Sequence, residues 1–162
     1  MKAIVCADRN WGIGKGNGML FHIPADLKYF KEMTMGSTIV MGYATFLSLP
    51  GQKALPGRRN VVLCDIDGWS APDVTVCHNF DELFSLLGED TSNVFVTGGQ
   101  SVYEQLIDRC DTAYITRVDD AADDAEKFFP NLDKREGWKL QERSEKQESN
   151  GYTFTFDTYI KE

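Results

Sequence analysis

Short apolar runs alternate with helical segments along most of this chain, and two of the runs break off at glycine just where a helix begins. Ala3 to Ala7, Thr38 to Met41, Asn60 to Cys64, Val74 to Cys77, Val94 to Thr97 and Thr112 to Val118 are continuous rather than alternating, as strands buried on both faces are. Between them lie helical segments from Pro24 to about Met35, from Ala44 to Leu49, from Phe80 to Leu87, and after Gly98-Gly99, where Val102, Tyr103, Leu106 and Ile107 share one face. Asn79, with Glu82 three residues on, reads as a cap and its reciprocal acid. Strand and helix taking turns imply parallel strands with crossover helices. The C-terminal segment differs: Tyr152, Phe154, Phe156, Thr158 and Ile160 alternate with Thr153, Thr155, Asp157 and Tyr159. That is a half-exposed strand, and Asn150-Gly151 before it favours a turn back onto Lys139–Arg143. The expected fold is α/β, with a mostly parallel central sheet, flanking helices and an antiparallel C-terminal edge hairpin.

At 162 residues, 42% of them hydrophobic, the chain suits one domain over 1–162 with a proper core. A net charge of −8 argues against a nucleic-acid or anionic-membrane partner, which would need a basic face. Cys6, Cys64, Cys77 and Cys110 form no C-x-x-C pair and no metal-ligand spacing with His22 or His78, so reduced, buried thiols and no metal are expected. Residues 1–10 carry only a four-residue apolar run, too short for a signal peptide, and the expected location is the cytoplasm. The acidic run Asp119 to Glu126 reads as a solvated loop.

Chemistry concentrates between Gly12 and Phe30. Pro24 suits the first helical position, so Asp26 falls in the first turn, with Leu27, Phe30 and Met33 at helical spacing behind it. Such an acid either complements the helix dipole or is a half-buried carboxylate beside a mobile flap, since Gly12, Gly14, Gly16 and Gly18 give the preceding loop unusual backbone freedom. The junctions Met41-Gly42 to Thr45 and Thr97-Gly98-Gly99 to Ser101 present helix starts at one sheet edge; they are either plain turns or anion cradles. Neither is a G-x-G-x-x-G fingerprint, which disfavours a Rossmann dehydrogenase. Arg58, between Pro56-Gly57 and a buried strand, is either a solvated arginine or a fork for a carboxylate.

Gly12-Ile13-Gly14, Asn17, Met19, Ile23-Pro24-Ala25-Asp26-Leu27, Phe30-Lys31, Met41-Gly42-x-x-Thr45-Phe46, Leu55-Pro56-Gly57-Arg58-x-Asn60, Gly98-Gly99-x-x-Val102-Tyr103 and Phe129-Pro130, taken together and in this order, resemble the bacterial dihydrofolate reductases over essentially the whole chain. The resemblance implies an eight-stranded sheet and a cis bond between Gly98 and Gly99. It implies that Asp26 is the catalytic carboxylate, hydrogen-bonded by Thr116. Ile4, Cys6, Leu27, Phe30, Leu49, Leu55 and Thr97 would form the substrate slot with Asp26, and Arg58 would grip the α-carboxylate of a glutamate tail. The cofactor NADPH would lie along Ala7, Ile13, Gly14, Met19, Gly42, Tyr43, Ala44, Thr45, Leu63, Cys64, Asp65, Gly98, Gly99, Gln100, Ser101, Val102 and Tyr103, with Met19 on the flap.

The chain departs from that family at identifiable places. Phe21 stands where tryptophan is usual, removing an indole N–H that helps hold a water near Asp26. Cys6 replaces alanine and Thr97 an aliphatic residue, both making the pocket more polar. Around the adenosine 2′-phosphate the usual cations are replaced by Tyr43, Ala44, Cys64 and Asp65, so tolerance of NADH is expected beside NADPH, unless Asp65 points to solvent and Lys15 or His78 meets the phosphate. The implied activity is reduction of 7,8-dihydrofolate to tetrahydrofolate by a monomer, with antifolates as inhibitors and no nucleic-acid or membrane partner. Two rivals are a pyrimidine reductase of riboflavin synthesis and a non-catalytic nucleotide-binding module. Arg58 and the Pro24-Ala25-Asp26 helix count against the first, and the joint retention of Asp26, Thr116, Arg58 and both glycine junctions against the second.

Overall fold

A computed structural model describes residues 1–16 and 18–162; Asn17 of the signature above lies outside the described residues. The uninterrupted apolar runs become the interior of one sheet. Lys2–Ala7 (β1), Thr38–Gly42 (β4), Arg59–Leu63 (β5), Val74–Cys77 (β6), Val94–Val96 (β7) and Thr112–Val118 (β8) are joined with Trp138–Arg143 (β10) and Tyr152–Lys161 (β12) in the order β10-β12-β8-β1-β7-β4-β5-β6. Every pairing from β8 to β6 is parallel, and those of β12 are antiparallel. The expected eight strands form this path, with a ninth, Gln147–Ser149 (β11), beside β12.

That ninth strand corrects the C-terminal hairpin. Asn150 and Gly151 both take positive φ, as a tight two-residue turn requires. They join β11 to the start of β12, with Ser149 opposite Tyr152, while Trp138 to Arg143 pairs with the far half of β12. The hairpin partner is therefore Gln147–Ser149 and not Lys139–Arg143, which lies along the same edge of β12 farther from the turn, three residues outside any strand separating the two.

The helices Pro24–Thr34 (α1), Tyr43–Leu47 (α2), Phe80–Leu87 (α3) and Gln100–Leu106 (α4) fall where the pattern places them. Asn79 caps α3 by accepting from the Glu82 N–H at 2.8 Å, but the Glu82 carboxylate reaches the backbone N–H of His78, one residue earlier than a reciprocal cap would. Helix α1 lies across β12, with Tyr29 stacked on Phe156 at 4.0 Å between ring centroids.

The glycine stretch is more structured than a loose flap. Gly12–Lys15 (β2) pairs with Gly18–Met19 (β3) and with Lys127–Phe128 (β9) in a second, three-stranded antiparallel sheet. Asp8, fully buried, accepts hydrogen bonds from the N–H groups of Asn10, Gly12 and Ala122, anchoring the base of the stretch. Glu126 accepts from the Gly16 N–H at 2.7 Å, and Asp124 pairs with Lys15 at 2.8 Å. The acidic run is thus a brace for the glycine stretch as well as a surface, because Glu126 satisfies a main-chain donor in the turn and Asp124 matches the Lys15 ammonium.

One local gap makes the site possible. Strand β1 pairs with β7 only at Lys2 and Ala3, after which the chain following β7 turns along β4, through Thr97 N–H to Val40 O and Gly42 N–H to Gly98 O. From Ile4 onward β1 keeps β8 on one side and, among the described residues, pairs with no strand on the other. The Ile4 carbonyl on the open side accepts from the buried Tyr103 hydroxyl at 2.7 Å.

Candidate active site

The gap between β1 and β4 opens into a cavity of about 1020 Å³. Its floor is β1 (Ile4, Val5, Cys6) and its walls are α1 on one side and the starts of α2 and α4 on the other, with the β2–β3 hairpin above. Of the residues expected to form the site, all but Ala7 and Thr116 line this cavity. Ala7 is fully buried beneath it, and Thr116 lies behind Asp26.

Asp26 stands in the first turn of α1 because Pro24 occupies the first helical position, and the following turn tips the carboxyl toward the sheet. Thr116 Oγ1 donates to Asp26 Oδ1 at 2.6 Å. Cys6 is the cross-strand partner of Thr116, so its thiol reaches the same carboxyl. Burial pushes the Asp26 carboxyl above the usual aspartate range, only partly opposed by the hydrogen bonds from Thr116 and Cys6. The same burial, with the negative charge of Asp26 beside it, holds the Cys6 thiol well above its ordinary value, so this cysteine is an inert donor. Asp26 therefore has two neutral donors and no ionic partner among the described residues.

Around it the slot is apolar. Phe30, Leu49 and Leu55 pack from α1 and from the segment before β5, and Phe21, 8% exposed, meets Tyr152 edge-on at 5.1 Å. The phenyl ring fills its site by packing and carries no donor toward Asp26. Cys6 and Thr97 both line the slot; the Cys6 thiol turns to Asp26, whereas the Thr97 hydroxyl donates to the Val40 carbonyl at 3.2 Å. At the mouth, Arg58 donates to the Pro56 carbonyl and to Thr34 Oγ1, and no acid lies within ion-pair reach among the described residues. Partial burial lowers its pKa from the ordinary value. It is a fixed, unmatched guanidinium facing the cavity, whereas Arg59 is exposed.

The glycine junctions meet at the other end. Gly42 ends β4 and Gly98-Gly99 follows β7, with the peptide between Gly98 and Gly99 cis. A side chain on Gly42 would press Val102 Cγ2 at 3.2 Å, and one on Gly99 would press Thr45 Oγ1 at 3.3 Å. The starts of α2 and α4 thus come within main-chain distance of each other, Gly42 N–H donating to the Gly98 carbonyl at 2.9 Å, and both line one cleft.

Several lining residues escape sequence reasoning. His22, Lys31, Ser48, Lys127, Asn79 and Phe80 all face the cavity. Lys31 follows Leu27 by one helical turn, a spacing that was legible. Lys127 arrives through pairing with Gly14 across the small sheet, and Asn79 and Phe80 through the position of β6 beside β5; no sequence pattern announces either.

Comparison with known proteins agrees with this arrangement. The family model described as dihydrofolate reductase matches residues 1–161. Dihydrofolate reductase type 3 of Salmonella typhimurium is 37% identical over 148 residues, 90% of this chain and 88% of that protein. Dihydrofolate reductase of Staphylococcus aureus (strain Mu50 / ATCC 700699) is 37% identical over 130 residues, 80% of this chain and 77% of that protein. A solved structure of dihydrofolate reductase from Enterococcus faecalis complexed with NADP(H) and RAB-propyl superposes with a TM-score of 0.85 at 32% identity, covering 99% of this chain and 95% of that one. A family match over residues 1–161, relatives at 37% identity and a shared fold leave one conclusion: this chain belongs to the dihydrofolate reductase family.

Proposed function

We propose that the chain reduces 7,8-dihydrofolate to 5,6,7,8-tetrahydrofolate with NADPH, supplying one-carbon metabolism for thymidylate and purine synthesis. The observation that carries this reading is one cavity joining a half-buried carboxylate, without an ionic partner among the described residues, to two close-set glycine junctions. The junctions suit a pyrophosphate: Gly42, Gly98 and Gly99 leave room where side chains would press Val102 and Thr45, and helix-start N–H groups supply donors. Thr45, Gln100, Ser101 and the hairpin residues Ile13, Gly14 and Met19 would hold the rest of the cofactor beside them. When bound, NADPH supplies the hydride that reduces C6 of the pterin.

The chain's own residues do the rest. Asp26 pairs with the 2-amino group and N3 of the pterin, two N–H donors that replace its lost hydration, and fixes the ring across the open edge of β1. Because burial favours its protonated form, Asp26 holds its proton to higher pH than an exposed aspartate and favours protonation of N5 through water. Phe30, Leu49 and Leu55 exclude bulk water from the ring, and Arg58 holds the glutamate-tail carboxylate. The hairpin braced by Asp124 and Glu126 covers the slot, with Met19, 60% exposed, on its second strand opposite Gly14. The same reading makes the chain a one-domain, cytoplasmic monomer whose partners are dihydrofolate and antifolates. Mixing protein, NADPH and dihydrofolate and following NADPH absorbance tests it: turnover that requires both reagents is expected, and none at any pH refutes the assignment.

A further inference from the structure

Strand order fixes where each end of a dinucleotide must lie if the cleft is the site proposed above. Asp26 and its two donors stand over β1 and β8, the glycine junctions over β7 and β4, and the C-terminal ends of β5 and β6 come next. A molecule with its nicotinamide on the Asp26 side and its pyrophosphate at Gly42 and Gly98 therefore lays its adenosine ribose over Leu63, Cys64, Asp65 and the segment from His78. All of these line the cavity.

The charge at that end is the opposite of what a 2′-phosphate needs. Asp65 is exposed there and is, with Asp26, one of two acids lining the cavity. His78 is the nearest base in it, and its Nδ1 lies 3.0 Å from Glu82 Oε2, so any charge it gains is already matched. Tyr43 is turned edge-on against Trp69, 5.1 Å between centroids, and Ala44 offers no donor beyond its backbone. The cations that line the cavity stand elsewhere. Arg58 precedes the five-residue strand β5 and Asp65 follows it, a separation of at least roughly 16 Å at about 3.3 Å per residue. Lys31 is on α1, and Lys127 pairs with Gly14 beside the start of α4, where the Phe128 N–H donates to Gln100 Oε1. Lys15 is paired with Asp124 and is not part of the cavity wall.

We propose that the far end of the cleft is built for a ribose with a free 2′-hydroxyl, Asp65 accepting a hydrogen bond from it, so that NADH binds this chain about as tightly as NADPH. A carboxylate at the end of a strand accepts from a ribose hydroxyl and repels a phosphate at the same place. The inference rests on the dinucleotide reading of the cleft, and its test separates the two.

The experiment measures dissociation constants of NADPH and NADH by isothermal titration calorimetry, without folate, for the wild type, Asp65→Asn and Asp65→Arg. Expected is a wild-type ratio within about tenfold, a shift toward NADPH of about tenfold (about 1.4 kcal/mol) in Asp65→Asn, and about a hundredfold in Asp65→Arg, where repulsion is replaced by attraction. NADPH binding to the wild type more than about a hundredfold tighter than NADH overturns the proposal while leaving the cofactor site in place; so does a ratio that neither variant moves. Failure of both dinucleotides to bind the wild type refutes the cleft assignment itself. If a variant does not fold, the wild-type ratio still decides, and kcat/KM with each dinucleotide provides a second reading.

Discussion

Thr116 Oγ1 donates a 2.6 Å hydrogen bond to Asp26 Oδ1, tying the middle of β8 to the first turn of α1. The hydroxyl spends its proton on one carboxyl oxygen, Oδ1, and so fixes the orientation of the group in the cavity. A neutral donor steadies the carboxyl without matching its charge, so burial still dominates and the proton stays bound to higher pH than in water.

Asp26→Asn is expected to keep the fold and NADPH affinity while lowering kcat with dihydrofolate at pH 7 by roughly a hundredfold or more, the scale of a lost proton-transfer group. In the wild type, activity should fall as pH rises through a carboxyl pKa above the usual aspartate range, and that limb should vanish in the variant. Steady-state pH profiles of both proteins check this.

Stability should respond in the opposite sense. A carboxyl whose pKa is raised by folding costs stability once it ionises, so the cost is absent below the unfolded-state pKa and complete above the folded one. Asp26→Asn, still able to accept from Thr116, should therefore melt higher than wild type at pH 7 to 8, with the difference closing as pH falls below the ordinary aspartate range. Calorimetric melting across that range measures it.

Arg58→Leu should weaken dihydrofolate by roughly tenfold to a hundredfold, the worth of a charge-assisted hydrogen bond of about 1.5–3 kcal/mol. Pterins that lack the glutamate tail should bind as before. Equal losses for both ligands would show that the arginine serves through Thr34 and Pro56 alone.

Asp8→Ala strands three backbone N–H groups at the base of the hairpin. A loss of about 2–4 kcal/mol in unfolding free energy is expected, since buried unsatisfied donors cost about 1–3 kcal/mol each and water can reach part of the site. Urea unfolding gives the value.

Glu126→Gln removes the charge that holds the Gly16 N–H while leaving the global fold untouched. Amide exchange at Gly16 should quicken several-fold, by the weakening of one charge-assisted bond, with core amides such as Val40 unchanged. Residue-resolved hydrogen exchange distinguishes this local release from general loosening.

Much of the scaffold was legible because burial on two faces leaves a composition signal. Thr38 to Met41 and Thr112 to Val118 carry no polar alternation and fold as interior strands, and Asn79 announces its helix through a cap. Strand order was not legible: nothing in Val94–Val96 says that it inserts between β1 and β4, since order is decided by packing among segments of equal hydrophobicity. The brace around the glycine stretch was hidden for another reason. Asp124 and Glu126 look like solvated acids until Lys15 and the Gly16 N–H face them from more than a hundred residues away. The meeting of Asp26 with Thr116 came from family resemblance alone, while the thiol of Cys6 opposite Thr116 follows from a register that only the assembled sheet reveals.

The break in pairing after Ala3 also makes the sheet mechanically uneven. On one side β1, β8 and β12 form a continuous ladder; on the other, β4, β5 and β6 form a second; between them runs a seam closed by β7 and by one phenol donating to one carbonyl. A ligand laid across the cavity touches both ladders, and so acts as a rivet across the seam. The empty protein should open first along this line, and the gain in resistance to unfolding on binding should be largest for ligands long enough to span it.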